Sequence, residues 1–172
     1  SISHVARLLL GMSYLATGQL EEAQSTLEEV IEYSEKFGYE WTGAASQGLK
    51  GMVLIAQGNL KQGVSLYENV VQVFLENKSL YRYAAANHLM GMVYSKFTHA
   101  MGEKKDFSFI AKNFDFLIKT LPFDHKKAEE HLNIAIKTSG EIGAKSVLGQ
   151  SYLELGKLHK AKGKVEKARK CI

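Results

Sequence analysis

Apolar residues recur at three- and four-residue spacing in the first segment, at Val5, Leu8, Leu9, Met12 and Leu15, and again at Ala23, Leu27, Val30 and Ile31. That spacing predicts two amphipathic helices, each turning one side to a core. Gly18 lies between them, and glycine closes a helix readily because it enters the left-handed region. Glu21 and Glu22 fall in the first turn of the second helix, where the positive end of the helix dipole favours carboxylates.

The pattern then repeats. LLLGMSYLATGQLEEA at 8–23 is echoed by GLKGMVLIAQGNLKQG at 48–63, an offset of 40. A second step of 40 takes Gly11, Met12 and Ala16 to Gly91, Met92 and Lys96. The echo resumes 25 residues late, with Ala23, Leu27, Ile31 and Gly38 matched by Ala128, Leu132, Ile136 and Gly143. Gly11, Tyr14, Gly18 and Ala23 return once more as Gly156, His159, Gly163 and Ala168. Helix pairs are therefore expected at 2–38, 41–78, 80–143 and 144–172, the third carrying an insertion at about 99–122 and the fourth truncated. The expected fold is all-α, one array of antiparallel helix pairs with one inserted helix.

Gly11, Gly51, Gly91 and Gly156 lie inside helices, where each costs about 1 kcal/mol relative to alanine. Close approach of the paired helix explains them, with Ala23, Gly63, Ala128 and Ala168 as small counterparts. Phosphate-binding loops instead cluster glycines at a strand-to-helix turn. In the insertion, Phe107, Ile110, Phe114, Leu117, Ile118 and Leu121 form an amphipathic helix that Pro122 should end. This helix packs on the array or, because Phe109 and Phe116 do not share its apolar side, presents Phe107, Phe109, Phe114 and Phe116 as a docking helix.

The spacing of Leu10, Gly11, Tyr14, Gly18, Ala23 and Leu27 resembles the tetratricopeptide repeat, whose helix pairs stack into a right-handed superhelix. The fold it implies is a right-handed α-solenoid. Departures are a period of 40 in place of 34, Arg7 where the family has tryptophan, and Glu35 where proline often ends the unit. The stretch 116–172 also resembles the C-terminal repeat region of large bacterial signalling proteins that place class III adenylate or guanylate cyclase and ATPase domains before the repeats. The chain carries neither a cyclase metal-binding aspartate pair nor a phosphate loop with its lysine. What that resemblance implies is a regulatory part, without catalysis, of such a protein.

The tetratricopeptide resemblance also implies that first helices line a groove holding a partner helix or peptide. Carried over by position, the groove residues are Leu8, Met12, Leu15, Met52, Ile55, His88, Met92, Lys96, Lys157 and Lys160. Methionine and aliphatic residues suit an apolar helix face, and the lysines suit carboxylates. Leu8, Met12 and Gly48 stand where the family's carboxylate clamp needs polar groups, which disfavours a chaperone tail. The alternative is a ligand-sensing repeat domain of a DNA-binding transcriptional regulator, which would need a cavity with convergent polar groups.

Composition narrows these classes further. One proline in 172 residues fits long helices, since an average chain has roughly 5%. No apolar run approaches the roughly 18 residues of a membrane span. The single Cys171 permits no intrachain disulfide, and with no signal peptide the expected location is cytoplasmic. The lack of an initiator methionine and the unfinished pattern at Ile172 suggest a piece of a longer protein.

Charge is uneven: residues 1–40 carry two basic and seven acidic groups, net −5, and 144–172 carry eight and two, net +6. The basic end lacks interleaved aromatics, so no nucleic acid is expected. It suits solvated lysines, an acidic partner, or the acidic end of a second chain. An uncapped C-terminal edge of Val147, Leu148, Leu155 and Leu158 is expected to need cover, from missing sequence or by self-association. The expected partners are thus a protein segment, other domains of the same chain, or a second copy.

No catalytic, metal or cofactor site is legible. The six histidines show no ligand spacing and are expected at the surface, and Glu28 with Glu32 is a like-charged pair. Neighbouring lysines favour a lowered pKa for Cys171, but no histidine and acid accompany it.

Overall fold

The computed structural model describes residues 3–100, 113 and 124–171, and every regular element among them is helical. The helices are α1 (His4–Thr17), α2 (Leu20–Phe37), α3 (Glu40–Ala56), α4 (Leu60–Glu76), α5 (Leu80–Ala100), α6 (Asp124–Glu141), α7 (Lys145–Ala161) and the short α8 (Val165–Arg169). Consecutive helices pair in antiparallel hairpins, and the fold is all-α. The candidate docking residues Phe107, Phe109, Phe114 and Phe116 lie outside the described residues.

Local chemistry sets the ends of α1. The Ser3 hydroxyl accepts from the Ala6 N–H at 3.3 Å. At the other end Gly18 takes φ +78°, and the N–H groups of Gly18 and Gln19 donate to the carbonyls of Leu15 and Tyr14. This closure satisfies carbonyls that a helix end leaves without partners. Gly58 and Gly163 close their hairpins with φ +77° and +70°.

The chain divides into two compact units. The first runs to Val73 and includes Asn113. Leu8, Ala23, Leu27, Val30 and Val53 form its buried cluster, with Tyr14, Leu15, Leu20, Ala45 and Leu49 packed against it. A first helix thus buries two sides, one on its own hairpin partner and one on the next first helix, because α3 packs on both α2 and α1. Full burial of a side chain such as Leu27 contributes about 1.5–3 kcal/mol. Polar links tie the same helices: Ser34 and Thr42 hydroxyls lie 3.0 Å apart in the interior, and Gln57 Nε2 donates to Gln24 Oε1 at 3.1 Å.

The second unit begins at Phe74. In it α6 packs along α5, α7 against both, and α8 on α7. Met90, Tyr94, Leu132 and Leu158 are fully buried at its centre. Between α5 and α6, His131 Nδ1 lies 2.8 Å from Asn87 Oδ1, and the His131 and Tyr94 rings stack with centroids 5.6 Å apart. Lys127 donates to the Tyr94 hydroxyl at 3.1 Å.

Candidate protein-interaction surface

In the first unit, α1 and α3 pack side by side and repeat the same apolar positions. Met12 is 45% exposed, while its counterpart Met52 and the pair Leu15 and Ile55 are half-buried. Of the four, Leu15 packs against the buried cluster and the Ile55 side chain lies against Gly63 of α4, which leaves Met12 the most open. Leu8 is not open at all. That side chain is buried in the cluster with Leu27 and Val53, because its side of α1 faces both α2 and α3.

In the second unit Lys96, Lys157 and Lys160 are exposed and Met92 is half-buried. His88 is buried, with its Nδ1 3.1 Å from the Ser151 hydroxyl of α7, and so is unavailable to a partner. Burial holds His88 below the usual imidazole range, against the pull of Glu154. His159 is buried as well, and burial lowers it too. The expectation of surface histidines fails at these two, because helical spacing points both into the packing between helices. Among the described residues no three His, Cys, Asp or Glu side chains are placed to hold a metal ion.

The expected C-terminal edge is largely covered. Val147, Leu155 and Leu158 are buried, since α7 packs on α5, α6 and α8, and only Leu148 is half-buried. Leu153 and Tyr152 are the exposed apolar residues of α7. Cys171 departs from expectation in sign: burial first, and Glu129 second, raise its pKa.

Two features of the first unit escaped the sequence reading. His4, Tyr33 and Tyr39 stack, with His4 centroids 5.5 Å from Tyr33 and 4.3 Å from Tyr39, and Phe37 lies 4.5 Å from Tyr33. Tyr33, Phe37, Tyr39 and Trp41 are all exposed, with Lys36 above the Phe37 ring. Four aromatics within nine residues were the available signal; the contribution of His4, from another helix, had none. A depression of about 420 Å³ also runs along α4, lined by Lys61, Gln62, Ser65, Leu66 and Asn69. Its described lining comes from one helix side, so these polar groups line up and do not converge.

Around the surface, Arg7 pairs with Glu29, and Lys50 with Glu28 at 2.8 Å. The hydrogen bonds from Lys50 and Gln24 hold the Glu28 carboxyl below the usual carboxylate range.

Residues 5–37, the α1–α2 hairpin, match the tetratricopeptide repeat family. No curated protein matches the chain. Two solved structures of putative kinesin light chain TPR-like repeats from Podosopora anserina are similar to it. One, a point variant, is 18% identical, covering 99% of this chain and 93% of that one with a TM-score of 0.48. The other is 19% identical, covering 96% and 90%, also with a TM-score of 0.48.

Proposed function

We propose that this chain is a protein-interaction module without catalysis of its own, holding an apolar helical segment along α1 and α3 of its first unit. The observation that carries this reading is the recurrence of Met12 and Leu15 as Met52 and Ile55, part-exposed on two adjoining helices. Tetratricopeptide repeats, matched at 5–37, generally act as scaffolds for protein partners. Thioether and aliphatic side chains adapt to the irregular surface of a bound helix. Lys96, Lys157 and Lys160 supply cations for an acidic segment in the second unit.

Selection of helical peptides from a random display library, followed by NMR mapping, tests the assignment. Binders should shift the resonances of Met12, Leu15, Met52 and Ile55, and Met12→Glu with Met52→Glu should weaken them at least about tenfold. Selected binders that map elsewhere would remove the groove.

The resemblance at 116–172 supports placing the module in a bacterial signalling protein with class III nucleotide cyclase and ATPase domains, as a regulatory part working in the cytoplasm. The coding sequence flanking the chain tests this, and a DNA-binding domain there would overturn it.

A further inference from the structure

The ring cluster of the first unit is not a requirement of repeat packing. One period on, the counterparts of His4, Tyr33, Phe37 and Tyr39 are Ala44, Val73, Asn77 and Ser79, and in the third pair they are Ala84, Thr138, Ile142 and Ala144. Neither pair carries a ring at these places. The exposure of the rings does not follow from α1 coming first in the chain either. Val73 stands on α4, with helices before and after it, and is 37% exposed against 44% for Tyr33.

The rings lie flat against one another. Tyr33 and Tyr39 are parallel to within 4° with centroids 5.9 Å apart, and His4 lies within 20° of both. Crossed rings would box in a rounded methylammonium, whereas near-parallel rings present flat faces, which suit the planar guanidinium of arginine. Cations of the chain itself already gather here. Lys36 Nζ stands 5.5 Å from the Phe37 centroid, and Arg7, three residues after His4, pairs with Glu29, four residues before Tyr33. Among the described residues no cation stands over Tyr33 or Tyr39.

Charge around the rings selects the same kind of partner. Helix α2 carries six glutamates and one lysine, net −5. Glu22 and Glu29, eleven and four residues before Tyr33, lie on its side of the helix. Glu32 and Glu40 adjoin Tyr33 and Tyr39 in sequence, both are exposed, and among the described residues neither forms an ion pair. We propose that Tyr33 and Tyr39, flanked by Glu32 and Glu40, dock an arginine-rich segment of a partner protein. Its guanidinium groups stack on the rings and pair with the carboxylates, and its further cations follow the acids of α2. This surface uses other side chains than the α1–α3 groove and does not depend on that reading.

Fluorescence anisotropy of the full chain with a short labelled peptide of alternating arginine and glycine, at physiological salt, tests the proposal. Binding should weaken about fivefold when lysine replaces the arginines, and about tenfold when citrulline keeps the flat group but removes its charge. Tyr33→Val with Tyr39→Ser installs the residues of the next pair, so it should keep wild-type helicity and melting temperature. It should bind the arginine peptide about tenfold more weakly. Tyr33→Phe with Tyr39→Phe keeps both rings and should recover most of that loss. If the Val and Ser variant loses helicity, Glu32→Gln with Glu40→Gln should weaken the same peptide at least about threefold and flatten its salt dependence. Equal affinity for the arginine and lysine peptides, or a folded ring or carboxyl variant that binds as wild type, overturns the proposal. So does a chain that self-associates through these rings, or ring resonances that move with a neutral oligosaccharide and not with the arginine peptide.

Discussion

The backbones of Gly51 in α3 and Gly63 in α4 touch: a Cβ added to either would stand within 2.9 Å of the other's carbonyl oxygen. Backbone cannot yield as a side-chain tip can, so Gly51→Ala and Gly63→Ala should each destabilise by about 1–3 kcal/mol. Gly140 and Gly149 also lie in helices, but a Cβ there meets nothing within 4 Å. Gly140→Ala and Gly149→Ala should stabilise by about 0.5–1 kcal/mol. Urea unfolding midpoints of the four variants check the contrast, and uniform effects would show that close approach is not what these glycines serve.

Lys78 closes α4 with φ +53°, in the register place that Gly38 and Gly143 fill at +72° and +70°. The closing bonds match: Ser79 donates to Phe74 as Tyr39 does to Ser34 and Ala144 to Ser139. Lysine accepts the left-handed region at about 1–2 kcal/mol. Lys78→Gly should therefore raise stability by roughly 1 kcal/mol, and Lys78→Val should lower it. Thermal melts of the two variants should bracket the wild type.

The turn glycines were legible because their conformation is decided within four or five residues, and they agree with the 40-residue register that the echo of 8–23 at 48–63 had set. Lys78 was not, since nothing in a lysine's sequence context announces a left-handed backbone. The family resemblance placed Leu8 and His88 in the groove by position in the repeat, which does not show which of two neighbouring helices covers a side chain. That ambiguity turned two core residues into groove candidates, while Met12, one turn on, is exposed. For Cys171, charge could be read from sequence but burial could not, and burial decides the sign of its shift.

Burial holds His88 and His159 below the usual imidazole range. Glu154 opposes this at His88, and Glu129 at His159, where Lys167, Lys164 and Lys162 reinforce it. Unfolded, both titrate near 6.5, so the unfolded chain binds more protons than the folded one just below that pH. Stability should then be fully present above about pH 7 and decline as the pH falls below 6.5. The lowered Glu28 adds a further loss only at pH values beneath 4.5. Melting temperatures between pH 7.5 and 5.5 should fall in the wild type and flatten in His88→Gln with His159→Gln.

Asn113 Oδ1 accepts the backbone N–H of Leu60, the first residue of α4, at 3.1 Å, and both residues are buried. A helix start leaves such N–H groups without intrahelical partners, and water does not reach this one to replace the amide oxygen. A residue 53 positions along the chain thus caps a helix of the first unit. Asn113→Ala should cost about 1–2 kcal/mol by leaving a buried donor unsatisfied. Asn113→Asp keeps an acceptor and adds negative charge at the positive end of the α4 dipole, and should retain most of that stability. Hydrogen exchange at the Leu60 amide separates the two, with protection lost in the alanine variant and kept in the aspartate one; equal exchange in both would mean that the bond does not hold α4 in place.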